Sequence, residues 1–153
     1  MLYFSSLIIP VLIMLPSVSF MFLSPRHMPA AEERRMPPLW TAAEAIGRAG
    51  TVALPLFFPF HLERWYEIAA LAGMAACLLL YYAVWIAYYR NGRQFARLFA
   101  PLWGLPVPLA VFPSIYFLLA SAVLHALPLL AAGLIFGAAH IAVSFRTYRR
   151  TLQ

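Results

Sequence analysis

The feature that most constrains this chain is a series of apolar runs, separated from one another by short polar segments. A helix needs about 20 residues to cross a hydrocarbon core roughly 30 Å thick. Five runs meet that length, at about 2–23, 39–60, 68–89, 105–124 and 127–145. Because these runs use almost all of the apolar residues, the sequence predicts one all-α domain over 1–153, a bundle of five transmembrane helices.

The break between the last two runs is the segment His125-Ala-Leu-Pro128. The stretch 105–145 is too long for one crossing, so a tight helical hairpin is predicted. The first run contains Pro10 and Pro16, each of which removes a backbone hydrogen bond and favours a kink. Such prolines are tolerated in membranes where neighbouring groups bond the freed carbonyl.

The orientation follows from the basic residues, all eleven of which are arginines. Nine of them lie in the first loop, the third loop and the tail: Arg26, Arg34, Arg35, Arg90, Arg93, Arg97, Arg146, Arg149 and Arg150. An odd number of spans places these segments on one side. The positive-inside rule then predicts an external N-terminus and a cytoplasmic C-terminus, in a multi-pass protein of a bacterial-type plasma (inner) membrane.

The net charge of +6 has the same explanation. Arginines beside apolar spans set topology and meet anionic lipid headgroups, so they are not interpreted as a nucleic-acid surface.

The second run carries two charges at predicted membrane depth, Glu44 and Arg48. Their spacing of four places them on one helix face with the acid on the favourable N-terminal side, and Thr51 continues that face. A helix that began only at Ala49 would be too short to span, so the charges belong inside the run. Charges at this depth are costly and tend to mark function.

The fifth run brings a second polar stripe to the same depth. Gly133 and Gly137 have the spacing of a close helix contact, and His140 and Ser144 extend their stripe. The predicted ligand site therefore comprises Glu44, Arg48, Thr51, His140 and Ser144. In it Arg48 binds an anionic group, Glu44 holds the guanidinium in place, and His140 titrates. The alternative is a structural ion pair that fixes helix packing.

Two further histidines, His61 and His125, lie at the predicted outer ends of their spans. Two histidines on different helices are able to ligate a b-type haem, and interfacial histidines without a cofactor are the alternative. No catalytic or metal-binding motif is present in the sequence, including Glu-x-x-His, HExxH, CxxC and the nucleophile elbow. We therefore expect no catalytic residues and no metal ligands.

Three functions stay open at this point. The leading hypothesis is a non-enzymatic protein that binds or transports a small amphipathic or anionic molecule through an intramembrane cavity. The second is an accessory or assembly subunit, or a homo-oligomer, which uses its small-residue stripes as the interface. These stripes are Ala69, Gly73 and Ala76, and Gly133 and Gly137. An intramembrane enzyme is the weakest of the three.

In span number, length and aromatic content the chain resembles the tryptophan-rich translocator-type sensory proteins. Those proteins have a first loop rich in Trp and Pro, and the segment MPPLW ends the first loop here. A likeness of architecture implies nothing about function, so no family is assigned.

Overall fold

The computed structural model describes residues 1–27 and 36–151, and the regular structure within them is helical. The five α-helices are α1 Ile8–Phe22, α2 Pro38–Ala53, α3 Trp65–Arg90, α4 Pro108–Val123 and α5 Leu127–Thr151. Short 3₁₀ turns occupy Phe4–Leu7, Leu54–Phe57 and Phe95–Leu98. The predicted all-α class is confirmed. Glu32, Glu33, Arg34 and Arg35 of the predicted first loop lie outside the described residues.

Within residues 1–27 and 36–151, three helical segments are long and apolar enough to cross a membrane. They are Phe4–Phe22, with 19 residues, α3, with 26, and α5, with 25. This is therefore a membrane protein with transmembrane helices. Helices α2 and α4 are shorter, with 16 residues each, which corresponds to about 24 Å of helix.

Proline moves two of the predicted boundaries. The second run was expected to be helical to Phe60, but α2 ends at Ala53. Pro55 has no N–H to continue the ladder, so the chain tightens into a 3₁₀ turn and is extended at Phe58. Likewise α4 begins only at Pro108, after Val107 in a left-handed conformation. In contrast, α5 continues six residues beyond the predicted end at 145.

The loops gather at two opposite ends of the bundle. At the first, which we call the arginine end, the Arg26 N–H donates to the Arg93 carbonyl at 2.8 Å. At the second, which we call the histidine end, the His61 N–H donates to the Val123 carbonyl at 2.9 Å. The Tyr3 N–H also donates to the Leu56 carbonyl, at 2.7 Å. Successive helices therefore run in alternating directions.

Helix packing follows the order α1, α3, α4, α5, α2. Helix α2 lies against α5 at very short range, since an added Cβ at Gly47 would meet the Phe136 backbone nitrogen at 2.5 Å. A Cβ at Gly50 would meet that of Ala132 at 2.7 Å. These glycines allow the backbones to approach closely enough for side chains of α2 and α5 to interact.

Tyrosine hydroxyls attach α1 to the rest of the bundle. Pro16 leaves the Leu12 carbonyl without its helical partner, and the Tyr82 hydroxyl donates to that carbonyl at 2.8 Å. The Tyr116 hydroxyl donates to the Ile9 carbonyl at 3.0 Å. The expectation that neighbouring groups satisfy a proline-freed carbonyl is confirmed at Pro16.

Candidate functional site

One carboxylate oxygen joins α2 to α5. Glu44 Oε1 accepts from Arg48 Nη2 at 2.5 Å, one turn along α2. The same oxygen lies 2.9 Å from Nδ1 of His140 on α5. Three of the predicted site residues therefore meet at one atom, which we call the Glu44 trio.

Phe136 lies one turn before His140 on α5 and contacts two members of the trio. The two rings stack with their centroids 4.8 Å apart and an interplanar angle of 18°. The Arg48 guanidinium carbon lies 6.0 Å from the centroid of the same ring, at the limit of a cation–π contact. Phe136 is also the residue that Gly47 approaches, so the close contact of α2 and α5 sets the geometry of the trio.

The hydrogen-bonding capacity of the trio is only partly used. A carboxylate can only accept, so His140 Nδ1 donates to Glu44 and Nε2 is the nitrogen that can take a proton. Arg48 has five N–H donors. Among the described residues, its side chain makes one hydrogen bond, from Nη2 to Glu44 Oε1. The Arg48 side chain is 52% exposed, against 16% for Glu44. The guanidinium therefore has donors left for a ligand.

A cavity of about 340 Å³ lies beside the trio, lined by Arg48, His140 and Ser144. Most of its remaining wall is apolar or aromatic: Phe20, Tyr81, Trp85, Phe95, Leu98, Phe99, Val107, Leu109 and Ala110. A smaller cavity of about 100 Å³ shares Arg48 and His140 and is also lined by Thr51. Apolar walls with a few convergent polar groups are typical of ligand sites.

The two predicted hydroxyl residues are placed at the cavities rather than on the trio. Thr51 is fully buried, and its hydroxyl donates to the Arg48 carbonyl of its own helix at 3.0 Å. Ser144 is buried in the wall of the larger cavity. The role of all five residues in binding a ligand stays a prediction.

Sequence reasoning missed three residues of this site. Phe136 stands four residues before His140, so helical spacing would have found it. Ser17 and Tyr81 line both cavities, and their hydroxyl oxygens are 2.9 Å apart. No local pattern marks these two residues, because they belong to different helices.

The histidine end holds a second carboxylate–histidine pair. His125 Nε2 lies 2.8 Å from Oε1 of Glu67, which sequence analysis did not single out. Glu67 Oε2 accepts the backbone N–H groups of Glu63, at 2.7 Å, and Arg64, at 2.9 Å. The Glu67 side chain is 1% exposed. This carboxylate therefore joins the start of α3 to the turn between α4 and α5.

His61 and His125 do come together, but in a geometry that does not fit a shared haem. Their rings are stacked, with centroids 4.2 Å apart and an interplanar angle of 1°. Axial ligands instead point one ring nitrogen each at the iron from opposite sides of the macrocycle. Stacked rings leave no space for it between them. Elsewhere in the ranges 1–27 and 36–151, no group of three His, Cys, Asp or Glu side chains is arranged to hold a metal ion.

No protein-family model matches this chain, and neither does a curated protein or a solved structure. The geometry of the site is therefore the observation that bears on its function.

Proposed function

We propose that this protein is a non-enzymatic membrane protein that binds, or passes, a small anionic or amphipathic molecule in the cavity beside Glu44, Arg48 and His140. The observation that carries the proposal is a half-exposed guanidinium, held by a carboxylate, in the wall of a cavity of about 340 Å³. An arginine fork suits carboxylate and phosphate groups, and membrane depth strengthens its attraction for them.

The charges of the trio suit a single anionic group. Glu44 accepts from one nitrogen of the Arg48 guanidinium, which keeps its positive charge and its other N–H donors for an anionic group. A bound anion would accept from the free Arg48 donors while Glu44 holds the guanidinium in position. The aromatic wall of the cavity would contact the apolar part of the ligand.

The proposal includes the topology of the chain. All five helices would cross a bacterial-type plasma membrane, with the N-terminus outside and the C-terminus in the cytoplasm. Alternating helix directions and the gathering of loop arginines at the arginine end support this. The two short helices would cross where the bilayer thins or flanking residues snorkel, at a modest cost. Arginines at the cytoplasmic surface would then contact anionic headgroups.

The first test is native mass spectrometry of the protein released from its own membrane. We expect one small molecule bound per chain, and we expect R48Q to lose it. The affinity should fall about 10- to 100-fold, since a hydrogen bond to a charged group is worth about 1.5–3 kcal/mol. The matched control is R64Q, which changes an arginine at the histidine end and should keep the ligand. Normal binding in both R48Q and E44Q would place the site elsewhere.

A different observation favours the accessory-subunit hypothesis as a second candidate. The Gly133 and Gly137 stripe is already covered, because added Cβ atoms there would meet Leu118 and Ser114 of α4. On α3, Gly73 is also covered, because its added Cβ would meet Leu119 of α4 at 2.8 Å, whereas Ala69 and Ala76 are exposed. The exposed alanines of α3 would accept a helix of a partner or a second copy. Crosslinking in native membranes that yields only monomer would contradict this candidate.

A further inference from the structure

A groove between α1 and α2 reaches the same arginine as the cavity. It has a volume of about 510 Å³ and is lined by Met14 on α1 and by residues of α2: Thr41, Glu44, Ala45, Arg48, Ala49 and Val52. Helix α1 packs on α3, whereas α2 packs on α5, so the groove separates the two helices. Arg48 therefore belongs to the walls of both the groove and the cavity.

The surfaces that flank this groove are apolar. Val11 and Leu15 of α1 are 53% and 52% exposed, and Ile46 of α2 is 67% exposed. Exposed side chains of this kind on spanning helices face lipid tails. In the proposed topology the groove therefore faces the hydrocarbon of the bilayer rather than water.

The polar groups of the cavity beside the groove form two small sets in a largely apolar wall. Arg48, His140 and Ser144 provide one set, and Ser17 and Tyr81, whose hydroxyl oxygens are 2.9 Å apart, provide the other. The rest of the wall is apolar or aromatic. A small hydrophilic anion would leave that wall without a partner. An anion that carries an apolar chain would use both parts of the cavity.

We infer that the ligand is a membrane-dissolved amphiphile with one apolar chain and one carboxylate or phosphate headgroup, which enters between α1 and α2. This inference rests on the proposed function and narrows it to a ligand class and an entry route. The headgroup binds Arg48, and the chain lies along the aromatic wall.

Trp85 provides the reporter for a test, because it lines the cavity and is only 6% exposed. In a variant with Trp40, Trp65 and Trp103 changed to Phe, it is the only tryptophan. This variant is placed in phosphatidylcholine nanodiscs and titrated with a brominated long-chain carboxylate. We expect saturable quenching, and the added change R48Q should raise the half-quenching concentration about 10- to 100-fold. Brominated phosphatidylcholine, which has no net charge, should quench Trp85 weakly.

The matched control keeps Trp65 instead, which is 80% exposed on the outer surface of α3. Both brominated compounds should quench it without saturation, and R48Q should have no effect. Failure of the carboxylate to quench Trp85 in a saturable, Arg48-dependent way would overturn the inference.

A competition experiment distinguishes a failure of this inference from a failure of the proposed function. At equal aqueous concentration, butyrate and inorganic phosphate should displace the brominated carboxylate at least about 100-fold less well than an unlabelled long-chain carboxylate. The long chain leaves water for the bilayer and then the cavity, and each CH₂ removed from water is worth about 0.8 kcal/mol. A long-chain phosphate monoester in parallel identifies which headgroup binds more tightly. Equal competition by the short anions would overturn the amphiphile class while leaving an anion site at Arg48.

The entry route is tested by closing the groove. Met14→Cys and Val52→Cys are introduced together with Cys77→Ala, which removes the native cysteine, and a reducible crosslinker joins α1 to α2. We expect the rate of Trp85 quenching to fall about tenfold or more and to recover on reduction. An unchanged rate after complete crosslinking would overturn sideways entry.

Discussion

The bundle holds two carboxylate–histidine pairs, one between α2 and α5 and one at the histidine end, and the two pairs have almost the same length. Glu44 and His140 are 2.9 Å apart, and Glu67 and His125 are 2.8 Å apart. Glu67 is 1% exposed, and both of its oxygens are bonded within the protein. Glu44 instead shares its pair with Arg48, whose side chain is 52% exposed beside a cavity.

The difference shows that a buried acid–histidine pair does not by itself mark a binding site. The Glu67 carboxylate accepts from two backbone N–H groups and from His125, so this pair joins α3 to the turn between α4 and α5. At Glu44 the pair leaves arginine donors and the His140 Nε2 nitrogen for another partner. Spare hydrogen-bonding capacity next to a cavity, rather than the pair itself, is the reason that we propose a site at Glu44.

The largest expected effect comes from removing each carboxylate in turn. E67A leaves two backbone N–H groups and His125 without an acceptor, so we expect the melting temperature to fall by roughly 10 °C. E44A should lower it by less than half as much, because Arg48 remains exposed, yet it should abolish ligand binding. Thermal unfolding followed by circular dichroism in one detergent compares the two. Equal losses of stability would make the Glu44 pair structural as well.

The next effect concerns the close contact that assembles the trio. G47A places a Cβ 2.5 Å from the Phe136 backbone, where no side chain can move aside. We expect a loss of about 1–3 kcal/mol in unfolding free energy and weaker ligand binding, since α2 must shift from α5. Denaturant unfolding and a ligand titration measure both.

The matched control for this change is G133A. Its added Cβ would meet the flexible Leu118 side chain at 3.2 Å, on the opposite contact between α5 and α4. Stability should change less, and ligand binding should be kept. If G133A impaired binding as much as G47A does, the α2–α5 contact would have no special role in the site.

The smallest expected change in stability comes from replacing each of the two stacked histidines at the histidine end in turn. His61 Nδ1 is buried and has no hydrogen-bond partner among the described residues. H61F should therefore keep the stacking and raise the unfolding free energy by up to about 1 kcal/mol. H125F should lower stability, because Glu67 loses a donor. The same unfolding measurement tests both. A loss of stability in H61F would mean that its imidazole nitrogens contribute to this end.

The sequence alone determined the properties that depend on neighbours along the chain. Apolar runs predicted the helices, and the break at His125–Pro128 predicted the hairpin that separates α4 from α5. The spacing of Glu44 and Arg48 predicted that they share a face, and they do form a pair. Pro55 was also a signal in the sequence for the early end of α2, because proline has no N–H for the helical ladder.

Only the tertiary structure decided which groups meet across helices. Glu44 and His140 are 96 residues apart, and the predicted topology placed them at one depth without pairing them. In the sequence Glu67 is the residue before the third apolar run, yet in the structure it is among the most buried side chains. The physical reason is that pairing depends on which helices pack closest. That packing is set by glycine contacts such as Gly47 against Phe136, for which a single helix carries no signal.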